Sequence, residues 1–218
     1  EGRRLVRVVS WNVRSLRDGS LAVAATLTAL RPDVVLLQEA PRLLFWRWSC
    51  WLLARRTGLV RVVGGAPAAG NLLLVAPRVV VVDASAVRLE KRPGLHRRGA
   101  VFGVLELEGR GLAVLGTHLD LDPAARLETA RRLRAMLPTG PAVVVGVDLN
   151  EEPGSPAWAT LSEGLVDVAA GCGPTFPARA PRRRIDALFV DPALTVLAVL
   201  RPDPGPVSDH LPLVVDLA

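Results

Sequence analysis

The feature that most constrains this chain is a recurrence of short apolar, β-branched runs, each bounded by Gly, Pro or polar residues. They are Val6 to Val13, Asp33 to Gln38, Leu59 to Val63, Asn71 to Val75, Val79 to Val82 and Ala100 to Leu107. Further along come Gly111 to Leu119, Ala142 to Val147, Ile185 to Val190, Leu194 to Val199 and Leu213 to Leu217. Each is strand-sized, which predicts about eleven strands. Helical periodicity falls between some of them. Ser20 can cap a helix over Leu21 to Leu30 that turns Leu21, Ala24, Ala25, Leu27 and Leu30 to one side, and a second helix follows Pro41. A third spans about Pro123 to Leu137, with Pro123 in its first turn and Leu127, Ala130, Leu133 and Leu137 on one face. A fourth begins near Ser155-Pro156. Alternating helices and strands early, then strand pairs late, predict an α/β fold of mixed sheets covered by helices.

At 218 residues the chain can bury a sizeable core, and no linker, low-complexity tract or fixed-period repeat interrupts it, so one domain over 1–218 is expected. With 50% hydrophobic and 22% charged residues, wholesale disorder is excluded. Arg47 breaks even the run Leu43 to Leu53, well short of the roughly 20 residues of a spanning helix, so stable membrane insertion is not expected. Cys50 and Cys172 form neither a CxxC pattern nor a disulfide framework, and no signal-peptide pattern opens the chain; a cytoplasmic, monomeric protein is expected. The net charge is +6, and all the basic residues except Lys91 are arginine. Arginine suits phosphate partners, although Ala, Arg, Val and Leu dominate throughout and the excess also reads as compositional bias.

Polar residues at strand ends carry the functional signal, because strand ends open onto the loops where sites are built. Five places stand out: Trp11-Asn12, Gln38-Glu39, Thr117-His118, Asp148-Leu149-Asn150 and Ser208-Asp209-His210. Alone, each is more often a cap or turn former than a ligand. Together they gather two of the three histidines with three carboxylates and three amides. Glu39, Asp209 and the Asn12 carbonyl are hard oxygen donors suited to Mg²⁺ or Mn²⁺. His118 and His210 can carry protons or donate to a phosphoryl oxygen, and Asp148 can orient a water. These parts fit hydrolysis of a phosphate ester. No GxSxG elbow and no GxxxxGK[ST] loop is present.

The ordered set SWNVRSL (10–16), LLQEA (36–40), GTHL (116–119), GVDLNEEPGSPAW (146–158), RRRIDALFVD (183–191) and VSDHLPL (207–213) resembles the endonuclease/exonuclease/phosphatase superfamily over nearly the whole chain. That group includes deoxyribonuclease I, exonuclease III-type repair nucleases, sphingomyelinases and inositol-polyphosphate 5-phosphatases. The resemblance implies a deoxyribonuclease I-like, four-layer α/β/β/α sandwich of two mixed β-sheets flanked by helices, and a Mg²⁺-dependent attack of water on phosphorus. It places Glu39 and Asp209 at the metal, with Asn12 either ligand or phosphate neighbour. It implies that Asp186 pairs with His210, which acts as general base or transition-state donor. Asp148 would position the nucleophilic water, Asn150 would hold a phosphate oxygen, and His118 would contact the phosphate or donate a proton.

Three departures stand out. Arg14 sits where many repair nucleases carry an acid, which weighs against a second metal. Tyrosine is absent, so His118 must serve where some nucleases place a phenol. Gly146-Val147-Asp148 puts an extra residue between the glycine and the aspartate, which reads as a turn variation. Asn71, Arg183 and Arg184 are candidate substrate contacts. The basic loop Lys91 to Gly99 reads chiefly as a solvated surface with His96 a bystander. Phe45 to Trp51 could stack bases or meet a membrane interface, but helical spacing of Trp48, Trp51, Leu52 and Arg55 predicts core packing. The expected function is therefore a Mg²⁺-dependent phosphodiesterase acting on DNA or RNA, as endo- or exonuclease. Phospholipid, phosphoinositide or small-molecule phosphate hydrolysis is the alternative within enzymes. A catalytically silent polyanion-binding module is the alternative outside them.

Overall fold

Apolar residues in the central strands run almost unbroken, so both faces of each strand must be covered, and the layers follow from that requirement. A computed structural model describes residues 6–218; residues 1–5, the start of the expected 1–218 domain, lie outside the described residues. In chain order the elements are β1 (Val6–Asn12), α1 (Ser20–Leu30), β2 (Val34–Gln38), α2 (Trp46–Thr57), β3 (Val60–Gly65), β4 (Asn71–Val75) and β5 (Val80–Arg88). Then follow β6 (Gly99–Leu107), β7 (Arg110–His118), α3 (Pro123–Ala135), β8 (Ala142–Asp148), α4 (Pro156–Ser162), β9 (Val166–Asp167), β10 (Asp186–Val190), β11 (Val196–Leu200) and β12 (Leu213–Leu217).

The strands form two six-stranded sheets, ordered β11-β12-β1-β2-β4-β3 and β5-β6-β7-β8-β10-β9. Each is antiparallel except for one parallel pair, β1 with β2 and β7 with β8. Alternate residues of one strand serve different layers. Val8, Leu36, Val144 and Leu188 pack between the sheets. Val9 and Leu37 meet α1 and α2 through Leu27 and Leu53, and Val145 and Phe189 meet α3 and α4 through Leu133, Trp158 and Leu161. The result is the four-layer α/β/β/α sandwich.

Gly116 and Gly146 face each other in the β7–β8 register. A Cβ on Gly146 would lie 2.8 Å from Ser10 Oγ, and one on Gly116 would lie 3.1 Å from Leu36 Cδ2, both in the facing sheet, so both glycines mark close approach at the sheet interface. The extra residue before Asp148 is therefore no turn. Gly146 and Val147 both lie within β8, and Val147 turns outward into the helix-side core.

Helix ends and faces depart from expectation in three places. Ser20 is the first helical residue of α1, not its cap, and its hydroxyl accepts from Arg56 Nη1 at 3.0 Å. Val23, Ala24 and Leu27 form the buried face of α1 while Leu21 is exposed. On α2 the face against the sheet is Cys50, Leu53 and Ala54, whereas Trp48 and Trp51 stand in solvent, stacked at 4.8 Å. Helix α3 follows its signals: Asp122 accepts from Ala125 N at 2.8 Å and Pro123 opens the first turn. Strand β5 runs past its expected end because an edge strand needs only one paired side and tolerates polar residues.

Phe189 is buried with Trp158 edge-on at 5.6 Å. Phe189→Ala should lower unfolding stability by about 3–5 kcal/mol in urea denaturation.

Candidate active site

The two parallel pairs end at the same edge of the sandwich. Asn12 pairs with Gln38 at the end of β1 and β2, and His118 pairs with Asp148 at the end of β7 and β8. Asp186, the first residue of antiparallel β10, lies opposite Asp148. Carboxyl ends of parallel strands are where α/β sheets build sites, and two such ends converge here. The chain leaves both under strain: Glu39 and Asn150 hold φ of 48° and 56° in the left-handed region.

Asp148 is the common acceptor. Its Oδ2 accepts from Asn12 Nδ2 at 2.8 Å, a bond that crosses between the sheets, and lies 3.3 Å from His118 Nε2 and 3.7 Å from His210 Nε2. Its Oδ1 accepts from the Asn150 backbone N–H at 3.1 Å. Asn150 Nδ2 donates to Leu119 O at 3.0 Å and meets His118 Nε2 at 2.8 Å, which assigns the His118 proton to Nδ1. That nitrogen faces Glu39 at 3.8 Å.

The expected pairing of Asp186 with His210 is present. His210 Nδ1 lies 2.9 Å from Asp186 Oδ2, Trp11 Nε1 donates to the His210 carbonyl at 2.8 Å, and Phe176 packs on the imidazole at 4.8 Å. Burial alone would depress the pKa of His210. The charges of Asp186 and Asp148, with the Asp186 hydrogen bond, outweigh it and raise the pKa to about 10. His118 goes the other way: burial, opposed by Asp148 and reinforced by Arg98 and His210, lowers its pKa to about 3. One site thus holds a charged and a neutral imidazole a few ångströms apart.

The donor set fits a hard cation in part. The Glu39 carboxylate is half-exposed and faces neutral His118 rather than a cation. Asn12 Oδ1 accepts one bond, from Arg14 N at 3.0 Å, and keeps a second lone pair. Asp209 is drawn off, with its Oδ2 3.4 Å from Arg14 Nε. Among the described residues Asp148, Asp186 and His210 form the group whose candidate ligand atoms lie within 4.8 Å of one another. Its His210 Nδ1 is already engaged with Asp186, so that group acts first as a hydrogen-bonded dyad beside an acceptor.

Two of the three expected substrate contacts face inward. Asn71 is buried and donates to Ala68 O at 2.8 Å and Gly99 O at 2.9 Å, fastening β4 to the start of β6. Arg184 lies over the Trp158 ring at 4.6 Å and pairs with Asp167 at 2.9 Å, because the residue before Ile185 is already entering the core. Arg183 is exposed, in a surface pair with Glu152 at 3.1 Å.

Sequence reasoning passed over two arginines. Arg98 is mostly buried at the end of the basic loop, 3.4 Å from Asp120, with the charges of Asp148 and Glu39 acting on it. Arg126 donates to Glu151 Oε2 at 2.7 Å and to Asp120 O at 2.9 Å, and Glu151 Oε1 accepts from Trp158 N. This buried pair ties the loop after β7 to the loop after β8. Its signal was an arginine on the same face of α3 as Ala130 and Leu133.

The profile of the Endonuclease/Exonuclease/phosphatase family matches residues 9–210. The chain belongs to that family. Its members are phosphoester hydrolases that depend on a divalent metal, and the deoxyribonuclease I-like fold agrees. An endonuclease/exonuclease/phosphatase from Bacteroides vulgatus is similar at 21% identity and TM-score 0.81, covering 99% of each chain. The D. rerio TDP2 complexed with single strand DNA product is similar at 18% identity and TM-score 0.82, covering 99% of this chain and 100% of that one. The Bacteroides thetaiotaomicron mannosyl-6-phosphatase Bt3783 is similar at 18% identity and TM-score 0.79, covering 98% and 99%. No curated protein sequence matches. At these identities the likeness speaks to fold, and the two relatives named with a substrate or product, single strand DNA and a mannosyl-6-phosphate, differ from each other.

Arg126→Met leaves Glu151 buried without its cation and should cost about 3–5 kcal/mol of stability, read by urea denaturation. The double change Arg126→Met/Glu151→Leu should recover most of it.

Proposed function

We propose that this chain is a Mg²⁺-dependent phosphodiesterase acting on nucleic acid, a single domain over residues 1–218 that works as a monomer. The observation that carries the reading is the meeting of the His210–Asp186 dyad, Asp148 and the His118–Asn150 pair at one strand-end edge beside Glu39. Glu39 would hold the ion, with Asn12 and Asp209 next to it. When bound, Mg²⁺ neutralises charge on the phosphoryl oxygens and favours ionisation of water. His210, kept charged and oriented by Asp186, donates to a phosphoryl oxygen on which charge develops. Asp148, already an acceptor for two amides, aligns the attacking water and takes its proton as the new P–O bond forms and the P–O ester bond breaks, the departing oxygen taking a proton from solvent water. Neutral His118, its Nε2 accepting from Asn150, donates to a remaining phosphate oxygen through Nδ1, and Asn150, whose two amide protons go to His118 and Leu119 O, positions that imidazole instead of holding a phosphate oxygen itself.

Three observations support nucleic acid as the substrate class. The net charge is +6. Arg179, Arg182 and Arg183 are exposed on the segment whose Phe176 lies against His210. A structurally similar protein, TDP2, was captured with a single strand DNA product. A second reading, hydrolysis of a phospholipid or another small phosphate ester, is favoured by the apolar surface that follows Glu39, where Leu43, Leu44 and Phe45 stand in solvent. Among the described residues no helix is long and apolar enough to cross a membrane.

The test is hydrolysis of plasmid, single-stranded DNA, RNA, bis-p-nitrophenyl phosphate, p-nitrophenyl phosphate and phospholipid vesicles, each with Mg²⁺ or EDTA. Nucleic acid and the diester should turn over with Mg²⁺ only, and His210→Ala should lose about 10²–10⁴-fold in rate. Turnover confined to monoesters or lipids would overturn the substrate assignment, and EDTA-resistant turnover the metal assignment.

A further inference from the structure

The stretch Pro41 to Arg61 holds five arginines and no acidic residue, and after Glu39 the next acid in the chain is Asp83. While Cys50, Leu53 and Ala54 pack on the sheet, five large apolar side chains of the stretch are turned outward. Leu43 is 80% exposed, Leu44 84%, Phe45 74%, Trp48 60% and Trp51 43%. A protein that burial alone had shaped would not hold so many large side chains in water on one contiguous segment. The turn that presents them is strained: Phe45, at the start of α2, has φ 57° in the left-handed region. Behind the leucines lies a cleft of about 410 Å³, lined by Arg17, Arg42, Arg56, Ser15, Ser20 and Ser49, with Leu43 and Leu44 as its lip.

We propose that this face docks the protein peripherally on an anionic lipid bilayer. Leu43, Leu44, Phe45, Trp48 and Trp51 enter the headgroup and upper acyl region, Arg47 and Arg55 lie over anionic headgroups, and the arginine-lined cleft receives a lipid phosphate. The inference goes beyond the proposed reaction and does not depend on which ester is cut. The occupant follows from the chemistry of the patch. Interfacial segments pair tryptophan and aliphatic side chains with arginine, and each basic residue adds attraction to anionic headgroups.

Two other occupants fit less well. Nucleic acid would stack its bases on open rings, yet Trp48 and Trp51 cover each other, and Arg55 lies over Trp51 at 5.4 Å. The two most exposed members are leucines, on which no base stacks. A second copy of this chain, paired about a two-fold axis, would bring the arginines of the patch against their own equivalents with no acid in the stretch to balance them. Docking here also orients the reaction edge, because Arg42 follows Glu39 by three residues and its side chain donates to Ala69 O at 3.1 Å next to Gly70.

The experiment is co-sedimentation of the full chain with vesicles of phosphatidylcholine alone or phosphatidylcholine with phosphatidylserine, at low and high salt. The wild type should bind the phosphatidylserine vesicles, more weakly as salt rises, with a blue shift of tryptophan emission. Leu43→Ser/Leu44→Ser and, independently, Trp48→Ser/Trp51→Ser should each weaken binding about tenfold or more with thermal unfolding and soluble-diester hydrolysis unchanged. Arg17→Gln/Arg56→Gln should abolish the preference for anionic vesicles. Wild type that stays in the supernatant, or apolar variants that bind vesicles like wild type, would overturn the proposal. So would a dimer in sedimentation velocity that the same variants dissolve, or loss in those variants of oligonucleotide binding alone. Vesicle binding is read without turnover, so its failure is separate from failure of the proposed reaction.

Discussion

Packing of the two sheets face to face is the constraint on which the rest of this molecule depends. The layer between them, built from Val8, Leu36, Leu73, Val101, Val114, Val144, Leu188 and Val215, is made of buried branched aliphatic side chains. At its rim the apolar contacts give way to polar ones. Gln38 Nε2 donates to Ser10 Oγ at 3.1 Å, and Asn12 Nδ2 reaches across the interface to Asp148. The edge that gathers the candidate site residues is therefore the polar margin of the hydrophobic interface. Shifting one sheet against the other would separate Asn12 and Glu39 from Asp148 and His118. Gly116 and Gly146 hold the sheets close where that margin begins, since a side chain at either position meets the facing sheet.

The same margin divides the two histidines. Both are buried, and burial alone disfavours the charged form of each. His210 has Asp186 at hydrogen-bond distance and holds its proton, while His118 has Asn150 donating to it and stays neutral. Environments that push two like groups apart are how one site comes to hold a charged and a neutral imidazole at the same pH. Arg126 and Glu151 keep the loop that follows His118 and the loop that carries Asn150 in fixed relation, and being buried they are sensitive to loss of either partner.

Much of this was legible in the sequence, for a definite reason. Strands buried on both faces read as unbroken apolar runs, and a polar residue at the end of such a run is conspicuous; that marked Asn12, Glu39, His118, Asp148 and His210. The Asp186–His210 pairing came from the family resemblance and is present in the structure. What failed was orientation. Trp48 and Trp51 have the spacing of a buried stripe, yet Cys50, Leu53 and Ala54 fill it, because spacing identifies a face without saying which way it turns. Asn71 and Arg184 were legible as polar residues near motifs but not as inward-facing ones, since their partners, Gly99 and Asp167, are distant in sequence or chemically unremarkable there. Arg126 hid for the opposite reason: a charge on an apolar helix face reads as noise until Glu151 is seen against it.

The central claim is that Asp148 is the acceptor on which both halves of the site converge and that its charge is used in the reaction. The most direct test is steady-state hydrolysis of bis-p-nitrophenyl phosphate at saturating Mg²⁺ by Asp148→Asn, which keeps the shape of the side chain and removes the charge. A fall of about 10²–10⁴-fold in kcat with the fold intact is the predicted result. A kcat within about tenfold of wild type would contradict the account, because removing a general base costs more than that.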